Sequence, residues 1–176
     1  MNHSLNGNAV KSADAISNGK NKQGPILVLG GTGKTGKRVA QRLKQQGLSI
    51  RIGSRSGEPP FDWNNKASWK KALEGVSAVY ITYYPDLASP GAPDAVGAFA
   101  TMAVQNGVKR LVLLSGRGEE EALRSEKALQ EAGADWTILR SSWFAQNFSE
   151  HFLLDPVRSG TIALPVGDVK EPFIDV

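Results

Sequence analysis

The stretch that most constrains this chain is Ile26-Leu27-Val28-Leu29-Gly30-Gly31-Thr32-Gly33-Lys34-Thr35-Gly36, which runs into Lys37-Arg38-Val39-Ala40. A short apolar run, then glycines, then apolar positions at helical period spell strand, tight turn and helix start. Gly31, Gly33 and Gly36 fit G-x-G-x-x-G, and Gly30, Gly33 and Gly36 fit a second, overlapping triplet. One glycine makes the turn, one lets backbone approach a pyrophosphate, and one lets helix pack on strand. The first N–H groups of that helix lack internal partners and face an anion with the positive end of the dipole. Gly33-Lys34-Thr35 also looks like the end of a P-loop, but that motif needs a glycine five residues before Gly33, where Val28 stands. A dinucleotide fits the loop better than a nucleoside triphosphate.

Downstream, strands and helices alternate. A helix over about residues 35–46 sets Val39, Ala40 and Leu43 on one face and ends at Gly47, and residues 48–53 follow as a second strand. Its tip, Ser54-Arg55-Ser56, carries no carboxylate to take a ribose 2′-hydroxyl. Arg55 with Ser54 suits a 2′-phosphate instead, which favours NADP(H) over NAD(H). Pro59-Pro60-Phe61-Asp62-Trp63 reads as a brief third strand at the sheet edge, where proline is tolerated. Residues 67–73 form a short helix and 77–82 a fourth strand, leaving through Tyr83-Tyr84-Pro85. A helix over about 94–106 leads to the nearly continuous apolar strand 108–115, then a helix over 119–131 and a sixth strand at 136–139 ending in Arg140-Ser141-Ser142. The fold class is α/β, a Rossmann-type doubly wound parallel sheet in the order 3-2-1-4-5-6. Its carboxyl rim gathers the glycine loop with Ser54, Arg55, Asp62, Trp63, Thr82, Tyr83, Ser115, Gly116 and residues 140–142.

At 176 residues the chain has length for one domain, residues 25–176, after a polar stretch at 1–24 read as a disordered tail. Cysteine is absent, and the two histidines, His3 and His151, lie far apart, so no thiolate or histidine metal cluster is expected. The net charge of +4 comes without a basic stripe interleaved with aromatics, which argues against nucleic acid as a partner. No apolar run approaches a membrane span, and the start has no signal-peptide core. A cytoplasmic protein acting on a small molecule is the expectation.

Gly30-Gly31-Thr32-Gly33-Lys34-Thr35-Gly36, Ser54-Arg55-Ser56, Phe61-Asp62-Trp63, Gly107-Val108-Lys109-Arg110-Leu111-Val112 and residues 137–148 together resemble the NmrA-like branch of the atypical short-chain dehydrogenase/reductase family. Within it the chain looks like bacterial relatives of the fungal festuclavine and agroclavine dehydrogenases. The resemblance implies NADP(H) on Gly30, Gly31, Thr32, Gly33, Lys34, Thr35 and Gly36, with Arg55 at the adenosine phosphate and Asp62 near the adenine. Trp143, Phe144 and Asn147 match a stretch that approaches nicotinamide and substrate. It further implies that residues 167–176 precede a carboxyl-terminal substrate portion, so that the chain reads as truncated.

The wider family's Tyr-x-x-x-Lys pair is missing. Its expected positions fall near Gly118 and Ala122, while Glu126 and Lys127 read as solvated helix charges. Reducing a ketone needs a proton donor for the alkoxide, whereas an iminium carbon becomes a neutral amine without one and a quinone oxyanion is delocalised. The sequence therefore points to an NADPH-dependent reductase of an iminium- or quinone-like acceptor, with Ser115, Tyr83 and Ser141 as candidate orienting hydroxyls. The alternative is an NADP(H)-sensing regulator without turnover, which would act through a protein partner.

Overall fold

The computed structural model describes residues 24–150, 152–164, 167–168 and 170–176. The expected tail falls outside them except for Gly24, whose carbonyl accepts a hydrogen bond from Ser77 Oγ at 2.6 Å.

Five parallel strands form one sheet in the order β2-β1-β3-β4-β5. They are β1 (Ile26–Leu29), β2 (Ile50–Gly53), β3 (Ala78–Ile81), β4 (Arg110–Gly116) and β5 (Asp135–Ser141). Between them run α1 (Lys34–Gln45), α2 (Lys66–Leu73), α3 (Ala92–Gln105) and α4 (Glu120–Gln130), and α5 (Asn147–Glu150) and α6 (Leu154–Arg158) follow β5. The order of these five strands is the expected one, but the edge strand at 59–63 does not form. Pro59 and Pro60 have no N–H to give a ladder. The Phe61 N–H turns back to Ser54 O at 2.8 Å, and its ring is 4% exposed, so the segment plugs the core instead of extending the sheet.

Alternation along the strands splits the core in two. Leu27, Leu29, Val79, Ile81, Leu111 and Leu113 face α2, α3 and α4 with Trp69, Leu73, Val96, Phe99, Ala122 and Leu129. Phe61, Trp63, Trp69 and Phe99 meet there ring to ring at centroid distances of 5.2–6.4 Å. On the other face Val28 and Tyr80 pack with Ala40, backed by Val39, Leu43, Ile52, Val112 and Leu114. Because every strand runs the same way, all carboxyl ends share one rim.

Candidate functional site

The rim is built around the turn between β1 and α1. Gly30 takes φ 61°, a left-handed conformation that side chains resist, and Gly33 N–H closes the turn on Gly30 O at 2.8 Å. Gly36 lies with its Cα so near that turn that a Cβ would sit 2.2 Å from Gly30 O. Helix and strand thus touch backbone to backbone. Gly33 caps α1 without a side-chain hydrogen bond, and the N–H groups of Lys34, Thr35 and Gly36 have no acceptor among the described residues. Thr32 and Gly33 are exposed, which leaves the turn open to a ligand. An uncapped helix start of this kind presents donors and the dipole's positive end to an anion.

The neighbours have specific tasks. Burial pushes the Tyr80 phenol pKa up, with neighbouring Thr35 opposing that shift. Thr82 Oγ1 donates to Leu29 O at 3.1 Å and fills the space over Gly30. Past β2, the Ser54 and Ser56 hydroxyls face each other at 3.4 Å, and the Arg55 guanidinium lies 5.9 Å from the Tyr84 ring centroid. Arg55 and Tyr84 are exposed. Asp62 does local work: Oδ1 accepts Asn64 N–H at 2.9 Å and its carbonyl accepts Trp69 Nε1 at 2.8 Å. Trp63 donates Nε1 to Thr82 O at 3.0 Å and packs on Tyr83 at 4.9 Å, tying the core cluster to the rim.

At the end of β4, Ser115 is 3% exposed and donates to Glu126 Oε1 at 2.6 Å. Glu126, also 3% exposed, is held by Arg140 Nη2 at 2.6 Å and Nε at 3.0 Å. The Arg140 fork, helped by the Ser115 hydroxyl, keeps the Glu126 carboxyl below the usual carboxylate range despite burial. The expectation of a solvated Glu126 is therefore overturned, while Lys127 is exposed as expected. The signal was present, since Ala122, Ser125, Glu126 and Leu129 share the i, i+3, i+4, i+7 face of α4 and all are buried.

Gly116 accommodates the Glu119 carboxylate, which a Cβ there would meet at 1.9 Å. Burial and then the Asp86 charge push the Glu119 pKa up. Gly118 forms the turn into α4 with φ 83°, and Ala122 is fully buried, so neither expected position of the missing pair reaches the rim with a titratable group. Ser141 lends its carbonyl to Arg117 N–H at 3.0 Å.

Trp143 and Phe144 lie in the segment after β5, where Phe144 bridges to Ile174 and Trp143 packs on Phe152 and Phe173, both at 6.3 Å. Asn147 Oδ1 accepts the Lys34 ammonium, and Glu150 takes Lys37 at 3.0 Å and a two-pronged contact from Arg38. Burial lowers the Lys34 pKa, with Glu150 opposing and Arg38 and Lys37 adding to the effect. The structure thus brings Lys34 and Asn147 together with the glycine loop. It places Ser115 facing inward.

No protein-family model matches this chain. By sequence it is similar to agroclavine dehydrogenase of Claviceps fusiformis, 37% identical over 174 residues that cover 86% of this chain and 58% of that protein. It is likewise similar to prestalk A differentiation protein A of Dictyostelium discoideum, 31% identical over 160 residues, or 81% of this chain and 52% of that protein. The chain therefore spans a little over half the length of these curated relatives. Among solved structures it resembles a nucleoside-diphosphate-sugar epimerase from Staphylococcus aureus, with TM-score 0.72 and 18% identity over 86% of this chain and 62% of that one. It also resembles triphenylmethane reductase of Citrobacter sp. complexed with NADP(H), with TM-score 0.57 and 21% identity over 81% and 58%. A short-chain dehydrogenase/reductase superfamily protein from Agrobacterium tumefaciens with bound NAD gives TM-score 0.58 and 19% identity over 75% and 54%. At these identities the structural likeness is one of fold.

Proposed function

We propose that this chain is of the same NmrA-like short-chain dehydrogenase/reductase family as the agroclavine and festuclavine dehydrogenases it resembles, that it binds NADP(H), and that it serves an NADPH-dependent reduction of a small iminium- or quinone-like acceptor. The observation that carries this reading is the uncapped start of α1, with three N–H groups lacking acceptors among the described residues, beside the exposed Arg55. A diphosphate fits that turn, because the contact of Gly36 with Gly30 leaves backbone, not side chain, at its surface. Arg55, exposed beside the Tyr84 ring and without an ion pair among the described residues, suits a 2′-phosphate. The solved neighbours bind NAD in one case and NADP(H) in another, and Arg55 is the ground for preferring the phosphorylated form. Trp143, Phe144 and Asn147 would wall the acceptor side.

When bound, the cofactor would supply the hydride. The residues bind, orient and exclude water. With Gly118 and Ala122 where a proton-donating pair would stand, an acceptor that needs no proton at the moment of transfer is the better match. The protein would act on a small molecule in the cytoplasm without nucleic acid or membrane. The same missing pair favours a second reading, an NADP(H)-sensing regulator with a protein partner, and one relative bears the name of a differentiation protein.

Titration calorimetry with NADPH and NADH tests the cofactor claim. Arg55→Ala should weaken NADPH about tenfold or more and leave NADH within about threefold, as expected for loss of one charge-assisted contact. Equal loss for both, or no heat with either, overturns it. Oxidation of NADPH by a panel of quinones and iminium compounds then separates reductase from sensor.

A further inference from the structure

The first turn of α1 and the segment after β5 are 113 residues apart in sequence, yet three cations of one meet two side chains of the other. Lys34 gives its ammonium to Asn147 Oδ1, Lys37 reaches Glu150 Oε2 at 3.0 Å, and Arg38 grips both Glu150 oxygens. Arg38 Nη1 also donates to Lys34 O at 2.9 Å, so the arginine braces the backbone of the turn it belongs to. This differs from an isolated surface pair, whose net value is small. One carboxylate holds two cations, the arginine presents its planar fork, and the Arg38 and Glu150 side chains are only 28% and 27% exposed. The far side of the segment is tied as well: Ala145 N–H donates to Ile174 O at 2.9 Å, and Val176 N–H donates to Gln146 Oε1 at 3.1 Å. Residues 143–150 therefore span from the glycine turn to residues 174–176.

We propose that Asn147 and Glu150 are positioning residues that clamp residues 143–150 to the first turn of α1, and that Lys34 links the clamp to the anion seated on that turn. An ammonium has three donors, and Asn147 takes one. The others are available to a diphosphate oxygen at the uncapped helix start. Lys34 then bridges ligand and segment, so occupancy of the turn tightens the wall carrying Trp143 and Phe144. The ligand half of this inference rests on the dinucleotide reading above. The clamp itself does not.

Hydrogen exchange on the full chain, free and with NADPH, tests both halves. In the free protein Glu150→Gln and Arg38→Ala should each speed exchange in residues 143–150 by about three- to tenfold, and the double variant should add little to either. With NADPH, the unsubstituted chain should slow exchange in that segment, while Glu150→Gln loses most of this protection yet binds NADPH within about threefold. A purely structural contact would not shift the nucleotide-dependent difference. Exchange in Glu150→Gln equal to the unsubstituted chain, additive effects in the double variant, or full NADPH protection without Glu150 would each overturn the proposal. If the unsubstituted chain binds no NADPH, the dinucleotide reading and the ligand half fall together, and the free-protein comparison alone decides the clamp.

Discussion

On one side of the sheet Leu27, Leu29, Val79, Ile81, Leu111 and Leu113 meet three helices, and Trp69 and Phe99 are fully buried among them. On the other side the fully buried Val28 meets α1 through Ala40, with Val39 and Leu43 only partly covered. The well-covered side holds the aromatic cluster, which meets the glycine turn only through the Trp63–Thr82 contact among the described residues, and the Ser115–Glu126–Arg140 network at the far end of the rim. The thinly covered side carries the turn, the uncapped helix start and the contacts to residues 147 and 150. On the proposed reading, stability and ligand binding are drawn from opposite faces, and the thinly covered one is where the first turn of α1 meets the segment after β5.

The contrast breaks first at the aromatic cluster. Trp69→Ala should cost about 3–5 kcal/mol of unfolding free energy, the usual range for emptying a fully buried aromatic site. Urea unfolding measures it, and a loss below about 1 kcal/mol would mean that the three-helix face does not hold the fold. Leu43→Ala on the α1 face should cost only about 1 kcal/mol, because that side chain is partly exposed and its cavity opens to solvent. A loss as large as that of Trp69→Ala would erase the difference between the faces.

The smallest effect is electrostatic. Arg38, then Lys37, hold the Glu150 carboxyl down to about 2. Asp175 also faces Arg38, and Lys34 lies in the same turn. A carboxylate whose folded pKa is depressed contributes fully above its ordinary range and loses that contribution as pH falls toward the folded value. The clamp should therefore persist through mild acid and release as pH falls through about 2, with added salt weakening it throughout. Carbon-13 titration of the Glu150 carboxyl reports this directly, and a midpoint near 4 would uncouple α5 from α1.

Much of the scaffold can be read from local signals. The glycine turn, the five strands and their order follow from short-range pattern, because turn glycines and buried parallel strands leave marks within a few residues. Residues 59–63 do not follow, since the extended Pro59-Pro60-Phe61-Asp62-Trp63 run reads as an edge strand while two missing N–H donors and a place for the Phe61 ring beside Trp63, Trp69 and Phe99 decide otherwise. Glu126 looked like a surface charge because its partners lie 11 and 14 residues away, although the stripe on α4 already turned it inward. The partners of Glu150 are more distant still, and no local period announces them. Asn147 was readable only by resemblance, and its bond to Lys34 belongs to tertiary structure.

The seam between Gly36 and Gly30 has a consequence for what variation the chain can carry. A methyl at position 36 would press on a carbonyl oxygen 2.2 Å away, with no flexible side chain there to yield. Most surface positions accept exchange by degrees, but this one offers no intermediate: alanine is already a wedge that pries the helix off its strand. Libraries that shuffle the loop should recover glycine there or recover nothing that folds around the turn.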